Sequence, residues 1–278
     1  MALLLLGFQR FLYKVAAEKN CNTALTSFSF MGTVALVSSC LFVARHETVT
    51  NLYFLLFIAL VNSISFLSST MTTMEALKRI SATVAYPIIR LNTAIVVIFS
   101  IIYFEDRLSL SQVLGILLAM VVIVVLVRSE HGEHRVVNEN VRLGFILILI
   151  AVISGAVATV STKFAAMYTS KLGFMAVSYI FSTGFSLGLR KKLETERANP
   201  DHRNALLIGL CMGLANFAGF YAFLKAVAIG PLSIIISIVG MYFVIAIVLS
   251  AMLYREKLSP RKIGGIFLTV VAITLMKM

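Results

Sequence analysis

Two short stretches decide how this sequence is read: Glu105-Asp106-Arg107-Leu108-Ser109 with Gly115, and Arg255-Glu256-Lys257-Leu258-Ser259 with Gly265. In each, an acidic residue stands two positions before a leucine, and a glycine follows that leucine by seven. The second copy lies 150 residues after the first. A separate pair, Lys14-Val15-Ala16-Ala17 and Lys163-Phe164-Ala165-Ala166, is offset by 149. Chance can produce either match alone, but two distant matches that agree on one period indicate an internal duplication.

The duplicated unit is apolar. Of 278 residues, 60% are hydrophobic and only 13% charged, with a mean hydropathy of +0.97. A soluble domain is roughly 45–50% apolar and about 25% charged, so a water-soluble globule and a disordered chain are both excluded and the solvent must be lipid. Apolar runs predict helices near 2–18, 24–44, 52–73, 81–103, 110–127, 143–168, 172–189, 205–224, 231–254 and 261–277. Pro231 and Pro260 sit where helix starts tolerate proline. Ten spans of about 20 residues leave no room for a folded extramembrane domain. The expected fold is an all-α membrane protein of ten transmembrane helices, with repeats at 1–128 and 142–278 joined by a 129–141 loop. Five helices per repeat is an odd number, so the second copy enters the membrane from the opposite side, as an inverted repeat.

The net charge of +12 does not point to nucleic acid, because most Lys and Arg cluster between apolar runs, as the positive-inside bias requires. Connections 1–2, 3–4, 5–6, 7–8 and 9–10 hold most of them, against little beyond Arg45, Arg107, Lys171, Lys225 and Lys277 on the other face. The basic face is expected to be cytoplasmic, with both termini outside. Cys21, Cys40 and Cys211 are odd in number and far apart, so neither a disulfide framework nor a metal site follows. Met1 to Leu6 is read as the start of the first helix, since Gln9, Arg10 and Lys14 interrupt a signal-peptide pattern.

At this point the chain resembles a known family. The motif Asp106-Arg107-Leu108 with Gly115, repeated as Glu256-Lys257-Leu258 with Gly265, together with the five-plus-five plan, is similar to the EamA family of the drug/metabolite transporter superfamily. The resemblance spans essentially the whole chain. It implies a carrier that moves small organic solutes by alternating access, with the solute held between the repeats near mid-membrane, in a bacterial or archaeal plasma membrane. The sequence departs from the family pattern at Leu6-Gly7, where Trp-Gly is common, and at Asp106, where Glu is usual. Helix one is also shorter on its entry side than helix six, so a start upstream of Met1 is expected.

Charged groups within the spans single out candidate sites, because one at the bilayer centre costs about 3 kcal/mol on insertion scales. Arg90 lies nine residues into helix four, too deep to snorkel easily, and is the leading candidate for attracting an anion. Pro87, three residues earlier, is expected to kink that helix and free backbone carbonyls. Arg10, Lys14 and Glu18 share one face of helix one. Lys14 and Lys163, equivalent under the repeat, are expected near opposite membrane faces as a pair of gates. Asn62, Asn92 and Asn216 at middle depth could bond a zwitterionic or hydroxylated solute, or join helices. Tyr86, Tyr179, Tyr221 and Tyr242 are the aromatic candidates. Gly209 and Gly213, like Gly184 and Gly188, form small-xxx-small patterns that let helices approach closely.

All four histidines, His46, His131, His134 and His202, fall in connections, so no intramembrane His metal site is expected, and no cofactor. Only Glu18 and Glu75 among the carboxylates come near a helix, both toward its end. The excess of intramembrane cations argues for an anionic or zwitterionic solute such as an amino acid, organic acid or sugar phosphate. A solute and the bilayer are the expected partners, a homo-oligomer is allowed, and nucleic acid is not expected. An intramembrane enzyme on a lipid-linked substrate and a non-transporting scaffold are the rivals. The first lacks a nucleophile, base or metal cluster at one depth.

Overall fold

The computed structural model describes residues 1–19, 21–49, 51–80, 85, 88–89, 91–128, 139–194, 202–254 and 260–277. Among these the chain forms α-helices and no strands: α1 Ala2–Glu18, α2 Thr23–Ala44, α3 Leu52–Leu77, α4 Leu91–Tyr103, α5 Leu110–Arg128, α6 Glu139–Tyr168, α7 Lys171–Glu194, α8 His202–Ile229, α9 Leu232–Gly240, α10 Tyr242–Tyr254 and α11 Pro260–Lys277. Four of the described segments are long and apolar enough to cross a membrane: Thr23–Ala44, Leu52–Leu77, Val141–Tyr168 and His202–Ile229. Their outer faces stay apolar. Leu36, Tyr53, Ile153 and Leu207 are all exposed, an arrangement that would promote aggregation in water and is favourable against acyl chains.

Local chemistry explains the helix starts. The Asn22 side chain accepts a hydrogen bond from the Leu25 amide at 2.9 Å, and Asn51 does the same for Phe54 at 3.0 Å, so each caps its helix. Pro231 directly precedes α9 and Pro260 is the first residue of α11, positions where the missing N–H has no intrahelical partner to lose.

Glycine decides where helices touch. A Cβ at Gly213 would lie 2.5 Å from Thr33 Cβ, and one at Gly209 would lie 2.7 Å from Thr26 O, so α2 and α8 cross through these two positions. Gly115 of the repeated motif plays the same part between α5 and α11, where a Cβ would fall 2.7 Å from Met276 Cγ and 3.0 Å from Ala272 O. Leu108 packs, partly buried, on the core beneath it. Gly184 and Gly188 differ from expectation: no atom of the described chain comes within 4 Å of a Cβ built at either, because both face outward. Identical spacing cannot say which side of a helix meets a neighbour.

The expected helix over 231–254 is broken. Met241 interrupts it, with the Met241 amide bonded to Ile238 O at 3.2 Å and the Val244 amide to Met241 O at 3.1 Å, a short tightening of the helical ladder. No proline marks the site. Gly240 meets Thr93 Oγ1 3.1 Å from where a Cβ would stand, so the break lies where the chain crosses α4. Helices α6 and α7 also extend into the polar flanks, beginning at Glu139 and ending at Glu194, and His202 is the first residue of α8 rather than part of a connection.

The helices interlock in pairs. Helix α3 packs along α6, α1 along α8 and α10, α2 against α7 and α8, and α5 against α11. Asn62 meets Ala158 to Thr162 whereas Ser69 meets Ala151, so α3 and α6 run antiparallel. Gly219 lies against Leu5 and Leu6 while Asn216 reaches Gln9, so α1 and α8 do too.

Candidate functional site

Where α1, α3, α4, α6, α8, α9 and α10 converge they leave a cavity of about 90 Å³. Gly155 of the lining lets α6 come close to α3 and α4: a Cβ there would fall within 2.8 Å of Asn92 Nδ2 and 3.1 Å of Ser69 Oγ. Helix α1 can approach the broken helix because Gly7 has no side chain, with Ile245 Cβ 2.7 Å from where its Cβ would stand. Glycine is needed at both places for contact, not for backbone freedom.

One wall is polar. Arg10 faces the cavity with its guanidinium carbon 4.7 Å from the Tyr13 ring centroid and 5.3 Å from that of Tyr242, so the charge rests between two aromatic rings. Beside it runs a buried chain of hydrogen bonds. Tyr179 OH donates to Asn216 Oδ1 at 2.6 Å, Asn216 Nδ2 to Gln9 Oε1 at 3.0 Å, and Gln9 Nε2 to Tyr13 OH at 3.0 Å, which in turn lies 3.5 Å from Thr70 Oγ1. Gln9 and Asn216 are 1% and 2% exposed, so each unmade bond there would carry a desolvation penalty of about 1–3 kcal/mol. This chain joins α1, α3, α7 and α8 and holds the cation-bearing wall in one geometry. Ser69, Asn92, Thr159 and Thr162 add hydroxyl and amide groups from α3, α4 and α6. Phe66, Phe220, Phe223, Ile236 and Val239 supply an apolar surface, with the Phe66 ring stacked on Phe220 at 6.4 Å. No Asp or Glu lines the cavity among the described residues.

The structure therefore gathers Arg10, Asn92, Asn216 and Tyr242 of the sequence candidates and separates others. Asn62 is used in packing: its Nδ2 donates to Ala158 O, Ser161 Oγ and Thr162 Oγ1 at 2.8, 2.9 and 3.0 Å, pinning α3 to α6. Tyr221 lies outside the cavity lining, accepting a 3.0 Å bond from Arg45 and lying beneath Lys225. Lys14 pairs with Glu18, and Lys163 donates to Val227 O at 2.7 Å and Gly230 O at 2.9 Å. Asp106 accepts from Ser100 Oγ at 2.6 Å and from the Ser233 amide and hydroxyl at 2.9 and 2.6 Å. Arg90, Pro87, Tyr86, Glu256 and Leu258 lie outside the described residues, and Gly265 falls within α11. Sequence reasoning missed Gln9. An uncharged amide directly before Arg10 in an apolar run was the available signal.

The model of the EamA-like transporter family matches residues 1–128 and 142–278, and the chain belongs to that family, within the drug/metabolite transporter superfamily. It is an integral membrane protein of the transporter class. No sequence among the curated proteins matches this chain. A protein of known crystal structure shares the fold: the superposition covers 100% of this chain and 98% of the other, with a TM-score of 0.75 at 14% sequence identity.

Proposed function

We propose that the protein is a secondary carrier that binds a small anionic or zwitterionic organic solute, such as an amino acid, organic acid or sugar phosphate, in the Arg10 cavity and moves it by alternating access. The observation that carries this reading is the Arg10 guanidinium, held between Tyr13 and Tyr242 in a lining that contains no carboxylate among the described residues. A half-buried cation with a fixed orientation favours a carboxylate or phosphate over a hydrophobic cation. The carboxamides of Gln9, Asn92 and Asn216 offer both donors and acceptors for the remaining polar groups of the solute. Arg90, with Pro87 and Tyr86 close by in sequence, is a candidate for a second anion-attracting group. Lys14 and Lys163 have partners outside the lining and act at the ends of the cavity.

Two inverted five-helix halves, 1–128 and 142–278, are the proposed basis of alternating access. The packing pairs support it. An offset of 149–150 residues exchanges the α1–α8 contact with α6–α3 and the α2–α8 contact with α7–α3, while α2–α7 and α5–α11 map onto themselves. The break at Met241, next to cavity residue Tyr242, supports a site built on an interrupted helix. The basic connections are placed in the cytoplasm and both termini outside.

Counterflow in proteoliposomes with a panel of amino acids, organic acids and phosphorylated sugars tests the reading. Saturable exchange of an anionic or zwitterionic member is expected, with Arg10→Gln lowering it at least about tenfold, equivalent to about 1.4 kcal/mol. Preference for a hydrophobic cation, or full activity of Arg10→Gln, would overturn it. A scaffold would show no exchange with any member of the panel.

A further inference from the structure

The chain reverses direction between α8 and α9 in only two residues, Gly230 and Pro231, and charges of opposite sign grip the two sides of that corner. On the α8 side the Lys163 ammonium, on a residue only 7% exposed, is bonded to Val227 O and Gly230 O at 2.7 and 2.9 Å, with the Phe104 ring centroid 5.6 Å away. On the α9 side one oxygen of Asp106 accepts from the Ser233 amide and hydroxyl and from Ser100 of α4. Glu105, with φ of 52°, turns the backbone so that Asp106 can reach α9. Each charge therefore faces the helix end its sign complements: a cation at the carbonyl end of α8 and an anion at the amide end of α9. The two charged residues come from elsewhere in the bundle, Lys163 from α6 and Asp106 from the α4–α5 connection.

Helix α9 leads from this corner into the cavity. Its Ile236 and Val239 form part of the lining, and Tyr242 follows directly after the Met241 break. Whatever holds the first turn of α9 also holds that wall. We propose that Lys163 and Asp106 are positioning residues that latch the α8–α9 corner and close the cavity toward this face. In this latch the Lys163 ammonium occupies a carbonyl-lined site that would otherwise accept a free monovalent cation. Opening toward this face requires the ammonium to leave Val227 and Gly230 or Asp106 to leave Ser233.

The inference rests on the carrier reading, yet its test needs no solute. Thr159→Cys places a thiol in the cavity lining of a chain whose Cys21, Cys40 and Cys211 are replaced by Ser. Its modification by a small membrane-impermeant methanethiosulfonate is followed from the face carrying the α4–α5 and α8–α9 connections. Adding Lys163→Met is expected to speed labelling about tenfold, and ethylammonium chloride to slow it again by filling the vacated site. Asp106→Asn is expected to act in the same direction. So is Ser233→Ala, which removes one donor, buries no charge and keeps the test open if Lys163→Met does not fold. Labelling at the parent rate in folded Lys163→Met or in Ser233→Ala, or acceleration that ethylammonium leaves unchanged, overturns the latch. Exchange of a solute with unchanged labelling refutes the latch alone. Faster labelling with no exchange across the whole panel refutes the carrier reading alone.

Discussion

Lys14 and Lys163 occupy the same place in the two halves of the sequence and end in different chemistry. Four residues after Lys14 stands Glu18, and the two form an ion pair whose carboxylate side chain is 45% exposed. Four residues after Lys163 stands Met167, itself 44% exposed, so no carboxylate is available on that helix face and the ammonium turns inward to the α8 carbonyls. The ends of the neighbouring helices differ in the same way. Helix α3 finishes with Glu75 bonded to Lys78 and Arg79 at 2.5 and 2.8 Å and to Thr23. The residues 150 further on are Lys225, Ala228 and Ile229, which include no acid. The matched positions thus share the cation but not its partner. One corner is held by ion pairs between side chains, the other by single charges on helix ends. The half-exposed Lys14–Glu18 pair is screened by salt and contributes little, whereas the buried Lys163 bonds to backbone carbonyls are neither screened nor easily replaced.

The contrast is broken most directly at Asp106. Replacing it with Ala orphans three donors at once, and a loss of about 2–4 kcal/mol is expected in thermal unfolding in detergent. Lys163→Met should cost about 1–2 kcal/mol by exposing two carbonyls to an apolar neighbour. Lys14→Met should cost less, since it leaves behind only a half-solvated carboxylate; equal losses in the two variants would erase the distinction. Glu18→Gln should lower stability by under about 1 kcal/mol, with the difference from the parent vanishing in 1 M salt. Met167→Glu would sharpen the comparison by giving α6 the pair that α1 has. A change within about 0.5 kcal/mol is expected, together with new salt dependence of unfolding as Lys163 is drawn off the carbonyls.

Much of the arrangement could be read along the chain. The apolar runs located the helices, and Pro231 and Pro260 marked two of the boundaries because their missing N–H is tolerated there. Arg10, Asn92, Asn216 and Tyr242 were recognisable by depth, since polar groups within an apolar run must find one another or line a cavity. Gln9 was not, because its partner Asn216 is 207 residues away and no local pattern encodes that meeting. Nor was the break at Met241, which sits where Gly240 crosses Thr93 and has no local breaker. The glycine pairs make the same point. Gly209-Gly213 and Gly184-Gly188 have one spacing, yet only the first pair meets another helix.

By itself, then, the sequence determined the solvent, most of the helical segments and which polar residue types interrupt the apolar runs. These depend on hydrophobicity and spacing, which are local properties. Only the tertiary structure decided which groups each cation meets and which of them faces the cavity. Arg10 is held by the rings of Tyr13 and Tyr242, Lys14 by Glu18, and Lys163 by the carbonyls at the end of α8. A buried charge is assigned by the nearest group that can solvate it. For Lys14 that group is one helical turn away, whereas for Lys163 and for Tyr242 on Arg10 it comes from helices far off in the chain and is fixed only when they pack.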